Sequence, residues 1–201
     1  MKKKWKQSCP LYFLILGTLI FTGCTKDKKA DTNTLYVQRG GSVIEAVVEE
    51  LDKEYYDSKE LKEWVQSEVD SYNKKNGKNK LKIRKNESDH KKAKVNIAYD
   101  TMEDYAKFNK LTAFQGTIAD AQKAGYEFKG EFKSTSDKPS ITEAELDQSN
   151  DYKLLILSEN QKLNMYKKIL YVSKNVKINN KDHKIAEVTA DKENPAYIIY
   201  K

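Results

Sequence analysis

The cysteines constrain the folding of this chain more than any other residue type, because there are only 2, Cys9 and Cys24, and none follows. Whatever folds beyond residue 24 must therefore be held by packing and hydrogen bonds alone, without a disulfide, a CxxC metal clip or a thiol nucleophile. With 201 residues, one hydrophobic core is within reach at that length. Charged residues reach 33% and mean hydropathy is −0.83, which excludes a multi-span membrane protein. The 13 Tyr and 6 Phe supply enough large apolar surface to argue against a wholly disordered chain.

The first 24 residues have the layout of a secretory signal: Lys2, Lys3, Lys4 and Lys6 form a positive start, and Leu11 to Phe21 an uncharged apolar run. That run is shorter than the roughly 20 residues a spanning helix needs, so cleavage is the expected fate. The run ends in Phe21-Thr22-Gly23-Cys24, which resembles the lipobox of bacterial lipoproteins. The resemblance implies cleavage before Cys24, with a diacylglycerol joined to its sulfur as a thioether and an acyl group on the freed amine. Two acyl chains at about 0.8 kcal/mol per buried methylene would make the anchor effectively permanent. No other cofactor is expected. The implied organisation is a signal peptide at 1–23, lipidated Cys24 with a polar tether to residue 33, and an extracytoplasmic domain at 34–201 with a sub-boundary near 134–151. The expected location is the outer face of the cytoplasmic membrane.

Within the domain, Thr34 to Arg39 and Ser42 to Glu49 read as strands of a hairpin turning at Gly40-Gly41. Asp57 with Glu60 offers a helix cap, followed by Leu61, Trp64, Val65, Val69 and Tyr72 at helical spacing and stopped by Asn76-Gly77. A second hairpin is expected from Leu81–Ile83 and Ala93–Tyr99, with 86–91 as its loop. Thr101 and Thr117 should start short helices at 102–109 and 118–124. The polar stretch 133–151 reads as a long connection with one helical turn at 141–146. Six short apolar runs from Tyr152 to Tyr200, broken by Asn-rich turns, predict antiparallel strands. The expected class is α+β: an N-terminal ββαββ unit with two short helices, then a β-rich antiparallel C-terminal section.

Familiar catalytic motifs are missing. His90 and His183 are flanked by lysines and lie in no HExxH or HxH spacing, so a zinc site is disfavoured. No GxSxG elbow, GxxxxGK[ST] loop or GxGxxG turn is present. Asn86-Glu87-Ser88 matches a glycosylation sequon, read here as coincidence. Glu45, Glu49, Glu50, Asp52 and Glu54 could supply the acid and base of a wall-glycan hydrolase, although a chain with 30 acids yields such pairs by chance. Aromatics such as Tyr55, Tyr56, Tyr99, Tyr105 and Phe108 are read chiefly as core.

The charge map carries more information than the sum. Four of 37 basic residues and none of 30 acids lie in residues 1–24, so the net charge of +7 would fall to +3 on cleavage. Residues 45–70 form an acidic block and residues 74–94 a basic one. Lys74, Lys75, Lys78, Lys80, Lys82, Arg84, Lys85, Lys91 and Lys92 are candidates for contact with an anionic lipid surface or wall polymer. The plainer reading is a solvated face that complements a helix dipole. Nucleic acid is disfavoured by location.

The stretches running from Tyr36 to Asp57, from Ala98 to Asn109 and from Ile169 to Ile178 resemble uncharacterised lipoproteins of low-GC Gram-positive bacteria. That resemblance brings no catalytic motif. The function expected is a membrane-anchored, non-enzymatic binding or envelope-assembly module acting with a protein partner that the sequence does not identify. The alternative is a cell-wall glycan hydrolase using a carboxylate pair.

Overall fold

The computed structural model describes residues 30–51, 57–88, 91–147, 151–179 and 181–201. The signal, Cys24 and most of the tether lie outside these residues, as do Asp52, Glu54, Tyr55, Tyr56 and His90. The protein is α+β and mostly strand, built on two sheets.

The first hairpin forms from β1 (Thr34–Val37) and β2 (Val43–Glu50), paired antiparallel with Leu35 opposite Glu45. Gly40 and Gly41 have φ of 91° and 94°, a region that side chains with a Cβ avoid, which is why this turn takes two glycines. The long helix α1 (Ser58–Asn76) starts where the Asp57 side chain accepts from the backbone N–H of Lys59 and Glu60. It ends at Gly77, whose N–H returns to the Asn73 carbonyl.

Strands β3 (Leu81–Ser88) and β4 (Lys92–Tyr99) are longer than expected. Asn86, Glu87 and Ser88, expected in the loop, pair instead with Val95, Lys94 and Ala93. Their polarity misled because β3 is the edge strand, where one face meets solvent, and a bulge at Arg84 resets the alternation. Helices α2 (Met102–Asn109) and α3 (Ile118–Lys123) begin at Thr101 and Thr117, each accepting from the N–H three residues on.

Between the two helices lies β5 (Ala113–Thr117), which the sequence reading did not contain. Two further strands, β6 (Glu131–Ser134) and β7 (Ile141–Thr142), were likewise not expected, whereas α4 (Glu143–Asp147) is the helical turn expected in the polar connection. The six C-terminal strands fall where the apolar runs do: β8 (Lys153–Leu157), β9 (Gln161–Met165), β10 (Ile169–Val172), β11 (Val176–Ile178), β12 (Ile185–Val188) and β13 (Ala196–Tyr200).

Those six strands do not form one antiparallel section. They divide between a seven-stranded sheet, β11-β12-β9-β1-β2-β4-β3, and a six-stranded sheet, β5-β8-β13-β10-β6-β7. β9 pairs with β1 in parallel, so the first sheet joins chain segments from both ends. One core cluster unites Leu35, Val37 and Ile97 of the first sheet with Leu155, Leu157 and Ile198 of the second. On the far side of the second sheet, Leu154, Ile156 and Ile199 pack with Phe128, Phe132 and Leu146. This explains why β8 and β13 are unbroken apolar runs: both of their faces are covered. Residues 30–33 lie against this body, with the Asn33 side chain accepting from Val48 N–H and its carbonyl from Lys162 N–H.

Candidate functional site

Alternation along β2 decides where its acids go. Val43, Glu45, Val47 and Glu49 share one face of the strand, and Ile44, Ala46, Val48 and Glu50 the other. The first set looks toward α1 and the core, since Val43, Leu35 and Ile97 beside Glu45 are all buried there. Glu50 turns to the opposite face and pairs with Lys92 at 3.3 Å.

Glu45 thus sits in an apolar wall, and the network around it shows the cost being met. Tyr99 Oη donates to Glu45 Oε2 at 2.5 Å and Asn109 Nδ2 donates to the same oxygen at 3.2 Å. Oε1 accepts no hydrogen bond among the described residues. Burial pushes the Glu45 carboxyl above its ordinary range, and the two donors only partly offset this. The Tyr99 hydroxyl is raised as well, first by burial and then by the Glu45 charge beside it.

A second carboxyl joins from the other end of the chain. Glu159 precedes β9, and the parallel pairing of β9 with β1 carries it toward Glu45. It is pushed up to about 7, first by burial and then by repulsion from Glu45, while a 3.0 Å bond from Gln161 Nε2 works the other way. Gln161 also donates to Tyr105 Oη at 3.2 Å, which ties this pair to the aromatic packing of Tyr99 against Tyr105. Each carboxyl thus holds its proton more tightly than a solvated glutamate does.

Above Glu45 lies a cleft of about 410 Å³ between α1 and the sheet. Val47, Val95 and Ile97 form its floor, Leu61, Trp64 and Val65 of α1 one wall, and Phe108 with Asn109 of α2 one end. Glu49, Glu50 and Asp57 stand at the other end, and no lysine or arginine lines it among the described residues. Trp64 is 59% exposed at the mouth, the one large hydrophobic residue left open to solvent among the described residues. Its position on α1 follows from the helical stripe that buries Val65 and Val69.

The basic candidates scatter. Lys74 and Lys75 occupy the last turn of α1, where they complement the helix dipole. Lys80 bridges Asp100 at 2.8 Å and Asp104 at 3.6 Å, and Lys85 pairs with Glu87 at 2.8 Å. Lys92 is taken by Glu50, while Lys78 and Lys91 are exposed. Lys82 and Arg84 converge with the Asp100-paired Lys80 in a depression of about 320 Å³ on the side of the sheet away from α1. Arg39 from the first hairpin joins them there, a cation the sequence reading did not include.

His183 is half-buried with a left-handed φ of 53°, and its Nδ1 lies 3.0 Å from Thr135 Oγ1. Among the described residues no group of three or more His, Cys, Asp or Glu side chains could hold a metal ion. No helix among the described residues is long and apolar enough to cross a membrane.

Of the five acids read as a hydrolase set, Glu45, Glu49 and Glu50 line the cleft, while the carboxyl whose proton affinity Glu45 raises is Glu159. Glu159 was not among the candidates. Its only local signal was a lone acid between two apolar runs, and such acids are common. No family model, no curated protein and no solved structure matches this chain.

Proposed function

We propose that the protein is an extracytoplasmic binding module, held to the outer face of the cytoplasmic membrane by lipid on Cys24 and without catalysis of its own. The cleft between α1 and the sheet is its ligand site. The observation that carries this reading is the cleft itself, a concave space of about 410 Å³ with apolar walls and few polar groups, the usual form of a small-ligand site. The β1–β4 segment with α1 acts as the ββαββ unit that bears the cleft. Residues 25–29 serve as the tether, Asn33 being already docked on the body. Arg39, Lys82 and Arg84, on the face away from the cleft, can meet anionic headgroups or wall polymer without blocking the ligand site.

One observation favours a hydrolase instead: two coupled carboxyls, Glu45 and Glu159, with raised affinity for protons. It ranks second because both are shifted the same way, whereas glycoside hydrolysis needs one protonated acid beside one ionised partner. The apolar walls are also poor matches for a sugar's hydroxyls.

The test is to titrate the full chain with a neutral apolar dye and, separately, to incubate it with purified wall polymers. Saturable dye binding that is lost in Val47→Lys, with no product released, is the expected result. Release of soluble sugar would overturn the binding reading in favour of the hydrolase. For the anchor, Cys24→Ala should stop incorporation of labelled fatty acid and leave the membrane fraction.

A further inference from the structure

We propose that the cleft binds a linear aliphatic diamine, two ammonium groups joined by a methylene chain. The proposal rests on the reading of the cleft as the ligand site and adds the chemistry of its occupant.

Glu45 and Glu49 lie four residues apart on β2, both on the face toward α1. At about 3.4 Å per residue their Cα atoms are separated by roughly 14 Å. Val47 lies between them, Val95 sits opposite Val47 on β4, and Leu61 and Trp64 close over the gap from α1. The lining therefore runs acid, apolar, acid. A methylene chain can replace water along the middle, at about 25 cal/mol for each Å² of apolar surface removed from solvent. Each end offers a carboxylate with capacity to spare. Glu45 Oε1 accepts no hydrogen bond, and Glu49 forms no ion pair, among the described residues.

Charge complementarity excludes the other small amphiphiles. A fatty carboxylate would bring a third like charge against Glu45 and Glu49, with no lysine or arginine among the described residues of the lining to receive it. A monoamine satisfies one end and leaves the other without a counter-ion. The remaining acids at the cleft are engaged elsewhere: Glu50 holds Lys92, and Asp57 caps α1.

The experiment titrates the purified full chain at low ionic strength with α,ω-diaminooctane, octylamine and octanol, following Trp64 fluorescence, with Trp64→Phe as the blank for Trp5. The diamine should bind at least about tenfold tighter than octylamine, and octylamine tighter than octanol. Glu49→Gln, at an exposed position, should bring the diamine down to the monoamine's affinity and leave octylamine unchanged. Glu45→Gln should weaken both amines and spare octanol. Octanol binding as tightly as the diamine would overturn the diamine and leave the cleft reading standing. Failure of all three probes would overturn both. Diamine affinity that survives both substitutions would also overturn the proposal, because the amine would then be bound elsewhere.

Discussion

The two faces of the seven-stranded sheet receive charge in opposite ways. Toward α1, the Glu45 carboxyl is set among Leu35, Ile97 and Tyr99, and its proton affinity rises with burial. Away from α1, Lys82 and Arg84 stand beside Arg39 in a shallow, open depression. A charge that keeps its water needs no support, whereas one enclosed by apolar side chains needs donors, a shared proton or a counter-ion. Tyr99 and Asn109 supply the donors. The counter-ion is what the diamine would bring.

The largest effect should come from the packing that makes the inner face apolar. Leu35→Ala, at a fully buried position opposite Glu45, should cost about 2–5 kcal/mol in urea unfolding. A much smaller loss would mean that the wall around Glu45 is looser than its burial implies.

Next is the donor to the buried carboxylate. Tyr99→Phe keeps the ring but withdraws the hydroxyl from Glu45, and should cost about 1–3 kcal/mol. The loss should be greater at high pH, where Glu45 is ionised, and equal losses at low and high pH would sink that explanation.

The pH dependence follows from the sign of the shifts. Glu45 and Glu159 bind protons more tightly folded than unfolded, so between the ordinary glutamate range and about pH 7 the native state holds more protons. Stability from Glu159 is full at the acid end of that window, falls as pH rises through about 7 and is then flat, and the raised Glu45 adds a fall of the same sign. Since Glu159 is partly exposed, solvent screening reduces the change to on the order of 1–2 kcal/mol. Glu159→Gln should flatten the profile, as urea midpoints across that range would show.

The smallest effect belongs to the outer face. Lys82→Ser with Arg84→Ser should leave stability within about 0.5 kcal/mol. The same variant should lose salt-sensitive affinity for anionic vesicles if this face meets the membrane. Retained affinity would separate the basic depression from membrane contact.

The helices are legible in the sequence because their signals are local. Asp57, Thr101 and Thr117 cap within three residues of themselves, and Gly77 ends α1 by a backbone bond to Asn73. The six C-terminal strands are legible too, as apolar runs between Asn-rich turns. Strands β5 and β6 leave no such signal, since Phe114 and Phe132 sit alone among small or polar neighbours and their strands pair with strands distant in sequence.

For the site, Glu45 was legible only as one acid among several. What singled it out was the β2 alternation together with a partner near residue 159, and periodicity says nothing about which strand lies beside which. Parallel pairing of Thr34–Val37 with Lys162–Met165 leaves no local trace, because the order of strands in a sheet is fixed by the joint packing of the whole core. The sequence by itself therefore determined the caps, the turns, most of the strands and the absence of cysteine beyond residue 24. Only the tertiary structure decided that Glu45 would be set into an apolar wall beneath a cleft and within electrostatic reach of Glu159, since burial and proximity, which set their proton affinity, exist only once the sheet has closed.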